Sequence, residues 1–348
     1  MQTTYIAMDL HTNTSVIEWL NDQGRPAGHR EVLTHPESLK KAIHKIPGDY
    51  KKLVLEQGCH STWTADALEE WVDELYVCDP RYNGLIAKAK HKGDTPDARQ
   101  LAELLFLGKI RQLYVPAMDQ RLVFRKQYIY YERRQKEATR AIQKLISQLR
   151  YWGVRVPTDQ SYSASKTPEW LEQVPEAIRP NIEQLHQAVI LFRKQAKAAW
   201  QQVTQSGANY PEIVEFKKIY GVGQKGAHGL SAYIIDPHRF RTASQLYAFS
   251  KLAVRHHSSQ GKRVRREKLI PAGYGTLKAI THRAVNTALT HPGPNNEVWQ
   301  FYQASLERSK SEKNARLNTQ RKILKTCWSI WKHNEEYRPE RFLGQTGR

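Results

Sequence analysis

Four carboxylates stand where a folded chain can gather them at one point. Asp9 ends the apolar run Tyr5-Ile6-Ala7-Met8-Asp9, and Glu56 ends Leu53-Val54-Leu55-Glu56. Asp94 and Asp97 follow in Asp94-Thr95-Pro96-Asp97-Ala98-Arg99. Residues three apart share one side of a helical turn, so two strand-end acids and two helix-start acids can converge. Carboxylate oxygens are the donors that hard divalent cations such as magnesium take, and paired ions of this kind drive in-line displacement at phosphorus. Each acid alone has an ordinary reading. Asp9 would be a strand-end turn residue, Glu56 a surface acid, and Asp94 and Asp97 helix caps. All four at element ends, in this order, favour the metal site, and charges of one sign gathered so closely repel without a cation.

A second constellation is basic. The run Arg255-His256-His257-Ser258-Ser259-Gln260-Gly261-Lys262-Arg263-Val264-Arg265-Arg266 lies in a stretch, 251–270, with seven Lys/Arg against one acid, Glu267. A serine hydroxyl needs a base, a metal or dense positive charge to act as a nucleophile. Flanking arginines can hold a scissile phosphate and neutralise the charge that develops on it. Spacing alone favours a solvated loop that grips phosphates through Arg255, His257, Lys262, Arg263, Arg265 and Arg266. Upstream, Ile219-Tyr220-Gly221-Val222-Gly223 reads as a helix-hairpin-helix-like turn. There Gly221 and Gly223 either offer backbone N–H groups to a phosphate or form a tight connection.

These residues sit in a chain of 348 with a formal net charge of +20, long enough for two or three domains. Residues 1–110 hold 13 Lys/Arg and 16 Asp/Glu, a balance of −3; the remainder holds 41 and 18, a balance of +23. An acidic first part suits a metal site, and a basic remainder suits a polyanion bound over a large surface. Cys59, Cys78 and Cys327 have no paired spacing, which argues against a zinc site or a disulfide framework and for a reducing compartment. The N-terminus lacks a signal-peptide pattern, and no apolar run nears the ~20 residues of a membrane helix. The expectation is a cytoplasmic, nucleoid-associated protein with no membrane partner.

The elements that must position the acids are legible as periodicity. Strands are expected at 4–9, 14–20, 30–33, 52–55 and 75–77, with Asp79-Pro80 after the last. Helices are expected at 36–46, 61–71 and from Thr95 to about Leu107. Three meandering strands followed by alternating helices and strands give an α/β fold of ribonuclease-H-like order over 1–115. Long helical stretches at 118–150 and 177–206 flank an irregular, Ser- and Pro-bearing segment and suggest an antiparallel coiled-coil arm over 116–210. Its tyrosines Tyr128, Tyr130 and Tyr131 suit packing between helices more than stacking on bases. A mostly α-helical domain fills 211–340.

The same residues carry a resemblance. Tyr-Ile-Ala-Met-Asp, then Leu-Glu-Gln-Gly followed by Trp63, then Gly-Asp-Thr-Pro-Asp-Ala-Arg-Gln-Leu-Ala-Glu resemble the DEDD transposases of bacterial insertion sequences. These form the one-ten insertion-sequence family, related to the pilin-gene invertases. Ile-Tyr-Gly-Val-Gly, Phe-Arg-Thr-Ala-Ser-Gln-Leu-Tyr-Ala-Phe and the serine-bearing basic segment before Pro271-Ala272-Gly273 are similar too. The resemblance covers about 4–115 and 213–333. It implies a RuvC-like first domain with Asp9, Glu56, Asp94 and Asp97 holding magnesium, and a catalytic serine at Ser259, with Ser258 the alternative. The segment departs from the family's pattern: Lys251-Leu252-Ala253-Val254 stands in place of a Gly-Leu-Thr-Pro lead-in, and Gln260 separates Ser259 from Gly261. The resemblance further implies a noncoding bridge RNA that pairs with donor and target DNA, and a homodimer assembling to a tetramer. Two other readings remain: a RuvC-like nuclease or junction resolvase that uses water as nucleophile, and a non-catalytic RNA- or DNA-binding remnant.

Overall fold

The computed structural model describes residues 1–79, 94–155, 169–255, 258–259, 262–263, 268–271 and 273–344; at 94–96, 255, 258–259, 262–263 and 268 it describes the backbone alone. The chain divides into two compact units, Met1–Asp119 and Gln120–Arg348.

The first unit is a five-stranded sheet with helices on both faces. Strands β1 (Thr3–Leu10), β2 (Thr14–Leu20) and β3 (Pro26–Leu33) form an antiparallel meander, β3 starting at Pro26, earlier than the apolar pattern suggested. Strands β4 (Tyr50–Glu56) and β5 (Glu74–Cys78) add in parallel on the other side of β1, so the order is β3-β2-β1-β4-β5. Alternation along each strand divides the core. Ile6, Met8, Leu53 and Leu55 face helices α1 (Pro36–His44) and α2 (Ser61–Leu68), packing on Leu39, Ile43 and Leu68. Ala7, Val54 and Cys78 face α3 (Asp94–Phe106), packing on Leu101, Ala102 and Leu105. Near the end of the unit the chain returns to the sheet: Gln112 bridges antiparallel to Cys78, and Leu113 N–H donates to the Val77 carbonyl at 2.7 Å.

The second unit is mostly helical. Helices α4 (Gln120–Tyr151) and α5 (Arg179–Gly207) pack along each other. Tyr131 meets Trp200, and further along Arg134 Nη1 donates to Gln195 Oε1 at 3.1 Å. At the far end Leu149 and Ile182 share a core with Trp170 and Val174. Contacts that advance along α4 retreat along α5, so the pair is antiparallel. Its roots are built into the helical body of the unit. Phe124, Tyr128, Tyr131, Ala199 and Val203 belong to the same core as α6 (Pro211–Lys218), α7 (Gly223–Ile234), α9 (Gly275–Thr290) and α11 (Glu312–His333). Tyr128 and Tyr131 are buried there, while Tyr130 is exposed. At the root, Arg121 Nη1 lies 2.5 Å from the buried carboxylate of Glu212, which also accepts from Ser231 Oγ at 2.6 Å, and the guanidinium stacks 3.7 Å from the Tyr210 ring centroid. The remaining helices are α8 (Ala243–Phe249), α10 (Glu297–Ser309) and α12 (Pro339–Leu343). No described helix is long and apolar enough to cross a membrane.

Candidate active site

The acid rim arises from strand parity. Side chains two apart on a strand share a face, so Asp9 lies on the side of Ala7, and Glu56 on the side of Val54, which is the face α3 covers. The β1/β4 register pairs Met8 with Leu55, so Asp9 and Glu56 are the next step along neighbouring parallel strands. On α3 the buried residues Ala98, Leu101, Ala102 and Leu105 form the stripe that meets the sheet. Asp97 lies one turn before Leu101 on that stripe, at its N-terminal end.

Electrostatics reports this convergence. Glu56 holds its proton above the usual carboxylate range, first because of burial, then because of the negative charges of Asp9, Asp97 and Asp79. A carboxylate feels its neighbours this way only at close range. Beside Asp9, His11 Nε2 lies 3.4 Å from Asp9 Oδ2. Asp94 falls at the first position of α3, and its side chain lies outside the described residues.

Asp79 was not among the acids singled out from the sequence. It is 3% exposed and directly succeeds β5, whose Cys78 pairs with Glu56. Its signal was the one that marked Asp9 and Glu56, an acid closing an apolar strand. The adjoining Pro80 made it look like simple chain punctuation.

Among the described residues no group of three or more His, Cys, Asp and Glu side chains is drawn together tightly enough to hold a metal ion as it stands. The donor set nonetheless fits a hard divalent cation in type and charge. Asp9, Glu56, Asp79 and Asp97 supply carboxylate oxygens, with His11 beside Asp9, and the repulsion among such charges is what a bound cation would relieve.

The described residues of the basic segment form two short ladders. Strands β6 (Val254–Arg255) and β9 (Lys268–Leu269) pair antiparallel, and between them β7 (Ser258–Ser259) pairs with β8 (Lys262–Arg263). The register sets Ser259 opposite Lys262 and Ser258 opposite Arg263. Of the expected phosphate ligands, Arg255, Lys262 and Arg263 thus occupy strand positions; His257, Arg265 and Arg266 lie outside the described residues, as does Ala272 of the Pro271-Ala272-Gly273 element. In the glycine turn, Gly221 has φ +81° and a Cβ there would stand 2.3 Å from the Ala284 carbonyl oxygen, so close packing on α9 demands glycine. The N–H groups of Tyr220 and Val222 already donate within the protein, to Glu297 Oε1 at 2.9 Å and to the Ile219 carbonyl at 3.1 Å. At Gly223, with φ +60°, an added Cβ would meet nothing within 4 Å beyond its chain neighbours.

Compared with known proteins, residues 215–303 match the family model described as Transposase IS116/IS110/IS902 family. The matched stretch begins in α6, passes through the glycine turn and the serine-bearing segment, and ends in α10. No curated protein matches the chain.

Proposed function

We propose that this chain, whose residues 215–303 match the IS116/IS110/IS902 transposase family, is an insertion-sequence transposase or recombinase, an RNA-guided one that exchanges DNA strands through a serine nucleophile. The observation that carries the catalytic half of this reading is the placement of Asp9 and Glu56 at the ends of neighbouring parallel strands, with Asp97 in the first turn of the helix that covers that face; the charges of Asp9, Asp97 and Asp79 raising the Glu56 carboxyl agree with it. An acid rim at the ends of neighbouring parallel strands, in a sheet of order β3-β2-β1-β4-β5, is also what supports a RuvC-like first unit.

Asp9, Glu56, Asp94 and Asp97 would hold magnesium. When bound, it supplies positive charge to the non-bridging and leaving oxygens of the scissile phosphate. Ser259 Oγ gives up its proton and attacks that phosphorus: the Oγ–P bond forms, the P–O bond to the sugar breaks, and the departing sugar oxygen takes up one proton, so protons and charge balance. Arg255 and Arg263 clamp the phosphate. In the reverse sense, a sugar hydroxyl from the partner strand attacks the phosphoserine and releases Ser259, so rejoining needs no external energy. Two DNA partners imply a homodimer assembling to a tetramer, and the balance of +23 beyond residue 110 supports binding of a structured bridge RNA besides donor and target DNA.

The test is a trapping experiment with the full chain, its copurifying RNA and DNA carrying both junctions. Wild type yields a denaturation-resistant protein–DNA adduct, and Ser259→Ala yields none while keeping RNA binding. An adduct that persists in Ser259→Ala moves the nucleophile to Ser258. Cleavage without any adduct in wild type assigns the acids to a nuclease that uses water. Sequencing the copurified nucleic acid tests the guide: a discrete structured RNA with loops complementary to DNA is expected, and random cellular RNA contradicts it.

A further inference from the structure

A cavity of about 470 Å³ opens in the second unit between α8, α10 and α11. Three cations line it, Arg308, Arg321 and Lys322, together with two aromatic rings, Tyr247 and Phe301. None of its lining residues is Asp or Glu. Lys322 stands 5.5 Å from the Phe301 ring centroid, and Arg321 stands 5.4 Å from that of Tyr247. Burial pushes the Lys322 ammonium below its ordinary range, and the neighbouring Lys325 charge pushes the same way. The polar floor is settled internally, with Asn318 Nδ2 donating to the buried Ser305 Oγ at 3.1 Å. The Asp- and Glu-free lining thus combines neutral hydroxyls and an amide with three cations. A size of this order accommodates a small ligand. Cations beside ring faces are the combination that holds a single nucleic-acid strand, the phosphate on the charges and the base or sugar on the rings.

The cavity also touches the root of the serine-bearing segment. Arg321 Nε donates to the Leu252 carbonyl at 2.8 Å, and the Tyr247 carbonyl accepts from Leu252 N–H at 2.8 Å and Ala253 N–H at 3.1 Å. Val254, the next residue, begins β6. Two of the cavity's own residues thus set where that segment leaves the helical body. Arg308, Arg321 and Lys322 lie beyond the 215–303 match.

We infer that this cavity is a nucleotide-binding subsite: it seats one nucleotide of a single nucleic-acid strand, with the phosphate on Arg308, Arg321 and Lys322 and the base or sugar against Tyr247 and Phe301. The assignment rests on the reading of the chain as a nucleic-acid recombinase, and the experiment keeps the two separable. Labelled single-stranded DNA and RNA oligonucleotides are titrated onto the full chain by fluorescence anisotropy across a salt series. The double variant Arg308→Gln/Lys322→Gln is compared with a charge-matched control, Lys126→Gln/Lys217→Gln, on exposed helix faces of the same unit. The cavity variant is expected to bind about tenfold more weakly at 0.1 M salt, with the log–log salt slope shallower by about 0.7 for each single-strand phosphate that the protein no longer neutralises. The control should change less than about twofold. In parallel, a strand carrying 5-iodouracil is photocrosslinked to wild type and the adduct mapped, with Tyr247 or Phe301 expected. Equal losses in cavity and control variants, or crosslinks confined to other peptides, overturn the subsite and leave the recombinase reading standing. Displacement of the crosslink by a free nucleoside monophosphate at micromolar concentration makes it a small-molecule pocket and also overturns the inference. A wild type that binds neither DNA nor RNA defeats the functional reading itself.

Discussion

The acid rim of the first unit and the serine-bearing segment of the second are built by opposite means. Asp9 and Glu56 ride on adjacent strands of seven or eight residues whose neighbours are fully buried on both faces of the sheet, and Asp97 lies in the first turn of a thirteen-residue helix packed on that sheet. Ser258 and Ser259 ride on a two-residue strand in a two-stranded ladder. Long, doubly packed elements place side chains more precisely than short ladders do. Like charges can thus be held together against their repulsion in the first unit, whereas a two-residue ladder fixes Ser258 and Ser259 with fewer contacts. The charge balance differs in the same sense: residues 1–110 have a balance of −3, and the remainder one of +23.

The contrast is broken most severely by removing a rim acid. Asp9→Asn or Asp97→Asn should lower strand exchange by more than about a thousandfold, in line with several kcal/mol of metal-derived stabilisation of the transition state. Anisotropy should show nucleic-acid binding within about twofold of wild type. A variant that exchanges strands normally would remove that acid from the chemistry.

The next effect lies in the second unit's frame. Arg121→Ala leaves the Glu212 carboxylate, 4% exposed in its side chain, without its cation. Breaking a buried pair from one side costs about 3–5 kcal/mol. Thermal unfolding should show the second unit melting earlier with the first unit's transition unmoved; a single unchanged transition would mean that the pair does not hold the arm's root.

Gly221→Ala comes third. It adds a methyl where the Ala284 carbonyl already stands and forces a side chain into φ +81°, for about 1–3 kcal/mol. Calorimetry measures this, and a neutral result would show that α9 can retreat.

The smallest expected effect concerns pH. Glu56 binds its proton more readily folded than unfolded, since burial and the charges of Asp9, Asp97 and Asp79 raise its folded-state value above the ordinary 4.5. Its contribution is therefore present in acid and lost as pH rises through the raised value. Without divalent cations the first unit should gain stability as pH falls from neutral towards 4.5. Glu56→Gln should flatten that slope and melt slightly higher at neutral pH. A wild-type slope of the opposite sign would contradict the crowding of charge at the rim.

Much of this architecture was legible where a single periodicity ruled. The helix expected at 36–46 forms over Pro36–His44 and buries Leu39, Ala42 and Ile43, and strand-end Asp9 and Glu56 fall on neighbouring strands. What stayed hidden depended on distant partners. Asp79 looked like punctuation because the β4/β5 register that sets it beside Glu56 is a long-range pairing. Pro26–His29 did not look like strand because an exposed edge strand carries little apolar pattern. The serine segment read as a loop because two-residue strands are too short for alternation to register. The cavity at Tyr247 and Arg321 draws on three helices separated in sequence, so no local spacing announces it.

The claim on which all this turns is that the first unit's acids share a cation. Manganese, as a magnesium surrogate, titrated onto the full-length protein and followed by electron paramagnetic resonance tests it directly. Loss of the free-ion signal at a defined stoichiometry in wild type, abolished by Asp9→Asn and by Asp97→Asn, is the predicted result. Equal manganese uptake by wild type and both variants would contradict it.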